Sequence, residues 1–161
     1  MKTPLRLLSL MSLIFLSAAS LISAEKPTDL VYVAHEYDPK ADADQDLARA
    51  KKIAAADGRR ILLVVGGNWC PWCRIFANYI ETNEAVRAIL AKSYVIQKVN
   101  VSDETSNTGF LNPYPAIEGY PHLFILDASG KLLHSQDSGD LEKGRGYDEA
   151  TVVAILSKWA E

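Results

Sequence analysis

The two cysteines of the chain lie two residues apart, in the stretch Trp69-Cys70-Pro71-Trp72-Cys73. A Cys-x-x-Cys pair can open and close a disulfide with little movement of the backbone, and its first thiol becomes reactive where a helix begins. The same two thiolates could instead bind a soft metal ion such as Cu(I). Thiol–disulfide exchange and metal binding are therefore the two chemistries to consider.

The segments on either side of the pair predict a strand followed by a helix. Residues 61–65 are a short run of aliphatic and β-branched residues, which is typical of a buried strand. Pro71 suits the first turn of a helix, where an N–H would have no partner in any case. The apolar residues that then recur at helical spacing are Ile75, Phe76, Tyr79 and Ile80. Cys70 is therefore expected at a helix start directly after a buried strand.

Caps, turns and periodicity predict the remaining elements. A helix is expected between an N-cap at Asp42 and a stop at Gly58, and further helices after Asn83 and after Asp148. The other predicted strands are 94–101, 119–126 and 131–134, with Leu30 to Val33 as a further candidate edge strand. Because a helix joins the first two central strands and a turn joins the last two, the sheet is expected to be mixed.

Composition limits the class of protein. The chain has 161 residues, of which 48% are hydrophobic and 23% charged, so we expect one domain with one core. The formal net charge is -3, and the sequence has no basic cluster that would indicate nucleic-acid binding.

Residues 1–24 are interpreted as a secretory signal peptide. Lys2 and Arg6 precede an apolar segment, and Ala24 is a small residue suitable for cleavage. An uncleaved anchor is the alternative, but the apolar run is shorter than a membrane-spanning helix requires. We therefore expect an exported protein, periplasmic if bacterial, with no membrane association after cleavage. Residues 25–45 are then an N-terminal extension and residues 46–161 the folded domain.

Export leaves open a purely structural role for the cysteines. In an oxidising compartment two thiols tend to close into a disulfide. A bridge across a two-residue gap, however, removes little entropy from the unfolded chain and stabilises the fold poorly. The spacing and the expected helix start together favour redox function.

Taken together, these elements and motifs resemble the thioredoxin superfamily, and in particular its exported members. The resemblance rests on the motif at 67–73, on Gly119-Tyr120-Pro121 before a strand, and on the turn at 127–131. It covers about residues 46–161. It implies an α/β thioredoxin fold, with a central mixed four-stranded sheet flanked by helices and preceded by the N-terminal extension.

The resemblance also implies roles for individual residues. Cys70 would be the attacking thiolate and Cys73 the resolving thiol. Pro121 would follow a cis peptide bond and lie beside Cys70, with the backbone of Tyr120 pairing to an extended substrate peptide.

Two tryptophans flank the predicted reactive sulfur. Trp69 is expected mainly to support the helix start, and Trp72 mainly to contact partner proteins. Both are therefore candidate substrate-binding residues, together with the proline loop.

The predicted function is that of a thiol–disulfide oxidoreductase for exported proteins. Its partners would be protein disulfides or dithiols and a redox partner protein, and no cofactor or metal is required. The reductase direction is slightly favoured, because the sequence lacks the inserted helical domain of the dedicated oxidases. The alternatives are a Cu(I)-type delivery module that uses both thiolates, and a noncatalytic binding domain with the same fold.

Further side chains could act near the cysteines. His122 follows the proline directly, and as imidazolium it would stabilise the Cys70 thiolate. The alternative is a strand histidine with local partners. Phe110 and Tyr114 of the long 102–119 loop, together with Tyr120 just after it, would either form a lip over the site or pin the loop to the core.

One position departs from the family pattern. Thioredoxins commonly carry a buried acid six residues before the first cysteine, as proton acceptor for the resolving thiol, and this chain has Val64 there. Asn68 cannot replace it as a base. The departure leads to the hypothesis of slow or partner-dependent turnover.

Val64→Asp should speed the reduction of a model disulfide, because it restores an acceptor for the Cys73 proton. The rate of disulfide reduction by wild type and variant tests this, and an unchanged or slower rate would contradict it.

Overall fold

The computed structural model describes residues 29–160. The predicted signal peptide, residues 1–24, lies outside the described residues. Within residues 29–160, no helix has the length and apolar character needed to cross a membrane.

One or two helices separate each of the first three strands from the next. The strands are β1 (Val31–Ala34), β2 (Arg60–Gly66), β3 (Tyr94–Asn100), β4 (His122–Leu126), β5 (Leu132–Asp137), β6 (Glu142–Lys143) and β7 (Gly146–Tyr147). The helices are α1 (Ala43–Asp57), α2 (Pro71–Thr82), α3 (Glu84–Ser93), α4 (Thr108–Leu111) and α5 (Glu149–Lys158), with a short 3-10 helix at Ser138–Leu141.

The main sheet is mixed, as the sequence predicts. Its strand order is β1-β3-β2-β4-β5, and β6 and β7 form a separate hairpin. Strands β1, β2 and β3 run parallel, whereas β4 is antiparallel to both β2 and β5. The four predicted central strands are present, and β1 adds a fifth strand at the edge. The candidate strand in the N-terminal extension is thus part of the sheet.

The sheet separates two apolar clusters because successive residues of a strand face opposite sides. On β2, Leu62 and Val64 pack on the side that holds both cysteines. Ile61 and Leu63 pack on the other side, where α1 contributes its alanines. Helices α2, α3 and α5 cover the cysteine side through Phe76, Ile80, Val86, Leu90, Val152 and Leu156.

The predicted helix boundaries are confirmed by their caps. Asp42 accepts a hydrogen bond from the backbone N–H of Gln45 at 3.0 Å, and Gly58 ends α1 in the left-handed region at φ 64°. Asp148 caps α5 by accepting from Thr151. Asn83 ends α2 and caps α3, because its Oδ1 accepts from the N–H of Val86 at 3.0 Å.

The aromatics of the long segment pin it to the core. Phe110 is buried in the cluster on the α1 side of the sheet, and Tyr114 stacks on Phe124 with 4.8 Å between ring centroids. These two residues therefore lie on the face opposite the cysteines and do not form a lip. Tyr120 alone reaches the cysteine loop.

Asn83→Ala should lower the free energy of unfolding by about 1 kcal/mol, because it removes the α3 cap and the hydrogen bond from Asn83 Nδ2 to Glu149 Oε2. Urea unfolding measures the change. Asn83→Ser keeps a capping oxygen and should recover most of the loss; equal losses in both variants would contradict the capping role.

Candidate functional site

The cysteine pair lies where β2 ends and α2 begins. Cys70 is the N-cap of α2, and the backbone N–H of Cys73 donates to its Sγ at 3.2 Å. The backbone N–H of Cys70 donates to the carbonyl of Gly67 at 3.1 Å, which closes the turn between strand and helix. Both cysteines are free thiols. The predicted strand, turn and helix start are confirmed.

The segment from Tyr120 to Pro121 lies against Cys70. The Tyr120–Pro121 peptide bond is cis, as the resemblance implies. The Cys70 thiol points at the carbonyl oxygen of Tyr120 over 3.5 Å. The backbone that is predicted to pair with substrate is thus next to the sulfur that is predicted to attack.

The structure leaves Trp69 exposed at the surface and packs Trp72 against the core. Trp69 is 55% exposed, although its Nε1–H donates to the Val101 carbonyl, and its ring meets that of Tyr120 edge-on at 5.5 Å. Trp72 is half-buried and packs on Tyr147. Helix α2 turns residue 72 towards the β6–β7 hairpin, so Trp69 is the aromatic surface beside Cys70.

Cys73 is enclosed more completely than Cys70. Its residue is 1% exposed, against 4% for Cys70, and it packs in the same apolar cluster as Val64. Burial raises the pKa of the Cys73 thiol to about 12, and the neighbouring Cys70 adds to the effect. The Gly67 backbone and the nearby Tyr37 hydroxyl act in the opposite direction and lower this pKa. Cys73 is therefore a protonated thiol at neutral pH.

Gly66 allows this close packing. A Cβ on residue 66 would lie 2.5 Å from Cys73 Sγ and 3.2 Å from the hydroxyl oxygen of Tyr37. Only a glycine leaves room for both atoms at the end of β2.

Tyr37 is a site residue that the sequence analysis missed. It lies in the segment between β1 and α1, and the side-chain amide of Asn68 holds it there by donating to its carbonyl at 3.1 Å. The contact joins residues far apart in the chain, so no local motif could have indicated it. The pairing of β1 with β3 is what brings Tyr37 to the cysteines.

His122 faces away from the cysteines. Its neighbour Leu123 packs in the cysteine cluster, whereas the His122 ring contacts Phe124 and its Nε2 lies 2.8 Å from Ser135 Oγ. Burial lowers the pKa of His122, Asp137 opposes this, and His134 adds to it. These contacts match the alternative of a strand histidine with local partners, and tuning of Cys70 by His122 stays a prediction without a contact to support it.

A four-coordinate metal site would need further ligands besides the two thiols. Among residues 29–160, no three histidine, cysteine or carboxylate side chains come together as a metal site. A metal ion here would have the two thiols as its ligands.

The family model described as thioredoxin-like matches residues 42–128, which is more than half of the chain. The chain belongs to the thioredoxin-like family. Its curated relatives include the thiol:disulfide interchange protein DsbD of Actinobacillus pleuropneumoniae serotype 5b, which is 32% identical over 100 residues. Those residues are 61% of this thioredoxin-like protein and 17% of that relative, so the match is to a small part of a longer protein.

Solved structures give the same fold. The disulphide isomerase from Xylella fastidiosa Temecula1 superposes with a TM-score of 0.66 at 26% identity, over 78% of this chain and 96% of that one. The C-terminal domain of DsbD from Neisseria meningitidis superposes with a TM-score of 0.52 at 15% identity, over 74% and 97%. The similarity to the DsbD domain shows a shared fold and nothing more. The predicted thioredoxin fold is confirmed.

Gly66→Ala should destabilise the reduced protein by about 1–3 kcal/mol, because the new methyl group overlaps Cys73 Sγ. Urea unfolding under reducing conditions measures this. Gly109→Ala is the matched control, since a Cβ there meets nothing within 4 Å; a loss as large as that of Gly66→Ala would show that the overlap is not the cause.

Proposed function

We propose that this protein exchanges disulfides with exported proteins, with Cys70 as the attacking thiol and Cys73 as the resolving one. The observation that carries the proposal is the hydrogen bond from the Cys73 N–H to the Cys70 sulfur at the start of α2. A sulfur in this position faces the positive end of the helix, which stabilises negative charge on it.

The exchange proceeds in two displacements. In the reductase direction the Cys70 thiolate attacks one sulfur of a substrate disulfide, which forms a mixed disulfide and releases the first substrate thiolate. The Cys73 thiolate then attacks the Cys70 sulfur and releases the second. Cys70 and Cys73 end as a disulfide, the substrate has gained two electrons, and both of its thiolates take up protons from solvent.

The surroundings of the two sulfurs support this order of attack. Cys70 borders the Tyr120 backbone and the exposed ring of Trp69, where a substrate could reach it. Cys73 is deeper and keeps its proton, since burial raises its pKa. A substrate therefore meets Cys70 first.

The surface around Cys70 supports a protein substrate. An extended peptide would pair with the backbone at Tyr120 and Pro121, as the resemblance implies, and Trp69 would contact it. Beside Trp69 lies a groove of about 680 Å³, which Asn68, Val101 and Glu104 help to line. Trp72 would contribute through its packing under the helix start, because its ring is turned towards Tyr147.

The sequence and the relatives support a compartment, a partner and a direction for the exchange. Residues 1–24 would direct export, and domain 46–161, with the extension 25–45, would act outside the cytoplasm. DsbD relatives are named as thiol:disulfide interchange proteins, which supports a redox partner protein. The connection between β3 and β4 contains only the one-turn helix α4, so it has no inserted helical domain, which favours the reductase direction.

Cys73→Ser should trap substrates on Cys70 as mixed disulfides, because the second displacement cannot occur. Incubation of the variant with insulin, followed by nonreducing electrophoresis and mass spectrometry, detects the adduct. Wild type should reduce insulin catalytically, with reduced glutathione as the electron source.

Cys70→Ser is the matched control and should yield neither adduct nor reduction. Adducts that form equally in this variant, or a wild-type rate equal to that of glutathione alone, would overturn the proposal in favour of a noncatalytic domain.

A further inference from the structure

A polar cavity of about 400 Å³ reaches Cys73 on the sheet face that holds both cysteines. Its buried lining includes Cys73, Tyr37 and Lys98, and its outer lining includes His35, Glu36 and Glu81. The side chains of these outer residues are 59%, 72% and 41% exposed, so the cavity opens to solvent. Its volume is large enough for several water molecules. The exchange mechanism above makes no use of it.

The Tyr37 hydroxyl is buried in this cavity and forms no hydrogen bond with any of the described residues. A Cβ placed on Gly66 would lie 3.2 Å from this hydroxyl oxygen and 2.5 Å from Cys73 Sγ, so the two groups converge beside Gly66. Burial, followed by the neighbouring Cys73 and Cys70, raises the pKa of Tyr37, so the hydroxyl keeps its proton. Because this hydroxyl has an unused hydrogen and converges with Cys73 Sγ beside Gly66, a thiolate formed at Cys73 would accept a hydrogen bond from it.

Lys98 brings a positive charge to the same cavity. It pairs with Val64 across the β2–β3 ladder, directly at the position where the family acid is missing. Its residue is only 9% exposed, and its Nζ lies 5.5 Å from the centre of the Tyr37 ring. Burial lowers the pKa of Lys98, whereas Glu36, Glu81 and Cys73 raise it.

We propose that the Tyr37 hydroxyl and the Lys98 ammonium stabilise the Cys73 thiolate during the resolving step, and that the cavity carries the Cys73 proton to solvent. In the family pattern, a carboxylate at position 64 promotes ionisation of the resolving thiol by accepting its proton. Here the two side chains would promote the same ionisation by a hydrogen bond and a positive charge. This inference rests on the proposed function of the cysteine pair.

Protons and electrons balance in the resolving step. The Cys73 thiol gives its proton to a water molecule in the cavity, and Tyr37 and Lys98 hold the resulting thiolate. That thiolate attacks Cys70 Sγ, the Cys70–substrate S–S bond breaks, and the Cys70–Cys73 bond forms. The leaving thiolate takes up a proton from solvent. No buried base is needed in this sequence.

Other titratable groups also face Cys73 or the cavity. Cys70 and Tyr147 act on Cys73 from the helix start and from β7, and both are present in every variant below. Arg74, His35, Glu36 and Glu81 line the cavity. Removing one hydroxyl or one ammonium leaves these groups unchanged, so any difference in pH profile belongs to the group removed.

An aromatic disulfide whose released thiolate is coloured, dithionitrobenzoate, separates the two displacements in one mixing experiment. Attack by Cys70 releases the first thionitrobenzoate, and attack by Cys73 on the mixed disulfide releases the second. Tyr37→Phe should leave the first phase unchanged and slow the second about tenfold at neutral pH, because the loss of one thiolate hydrogen bond raises the Cys73 pKa by about one unit. The rate–pH profile of the second phase should move to higher pH.

Lys98 is tested in the same way. Lys98→Met should slow the second phase by a similar factor, whereas Lys98→Arg keeps the charge and should restore most of the rate. Tyr79→Phe is the matched control, because Tyr79 also has a buried hydroxyl without a hydrogen-bond partner, but away from this cavity. This control should leave both phases unchanged.

The outcomes separate this inference from the proposed function. Absence of the first phase in wild type would overturn the proposed exchange by Cys70. A normal first phase with an unshifted second phase in Tyr37→Phe and Lys98→Met would overturn the role of these two residues and leave the exchange standing. Equal slowing of both phases would indicate a general structural defect and would also contradict the inference.

Discussion

The hydrogen bond between the Cys73 backbone and the Cys70 sulfur depends on α2 beginning directly at the end of β2. That junction makes the sulfur the cap of the helix, so the group that must carry negative charge is also the group that satisfies an unpaired N–H. The sheet and the helices behind it keep the junction in place, because β2 is the central buried strand. Reactivity of the first sulfur and stability of the helix start therefore come from one contact.

The same junction forces the second sulfur inward. One helical turn after Cys70, residue 73 must face the sheet, and the missing side chain of Gly66 gives its sulfur room there. Burial then raises the cost of ionising Cys73, which suits a thiol that must wait for the mixed disulfide. The same burial opposes the later release of its proton. The structure must reduce this cost locally, and Tyr37 and Lys98 are the polar side chains that the fold places within reach.

Much of the fold could be predicted from the sequence because it is encoded locally. Asp42, Asn83 and Asp148 each cap a helix through a hydrogen bond to a residue three positions away. The cysteine spacing likewise indicates the site from five adjacent residues. His122 and Trp72 were harder to interpret, since the face of a strand or helix that a side chain occupies depends on packing partners elsewhere in the chain. Tyr37 was missed because only the pairing of β1 with β3 brings it to Cys73.

Position 64 shows in the same way that a residue of the apolar cluster around the cysteines cannot be interpreted from the sequence alone. Judged from the sequence alone, Val64 leaves the resolving thiol without a proton acceptor. In the folded protein, valine keeps β2 apolar while its partner in the ladder, Lys98, supplies charge from the next strand. An acid at position 64 would lie beside this lysine, whose charge would keep the carboxylate ionised and able to accept the Cys73 proton. The residue that replaces a family acid is thus understood only together with the strand beside it.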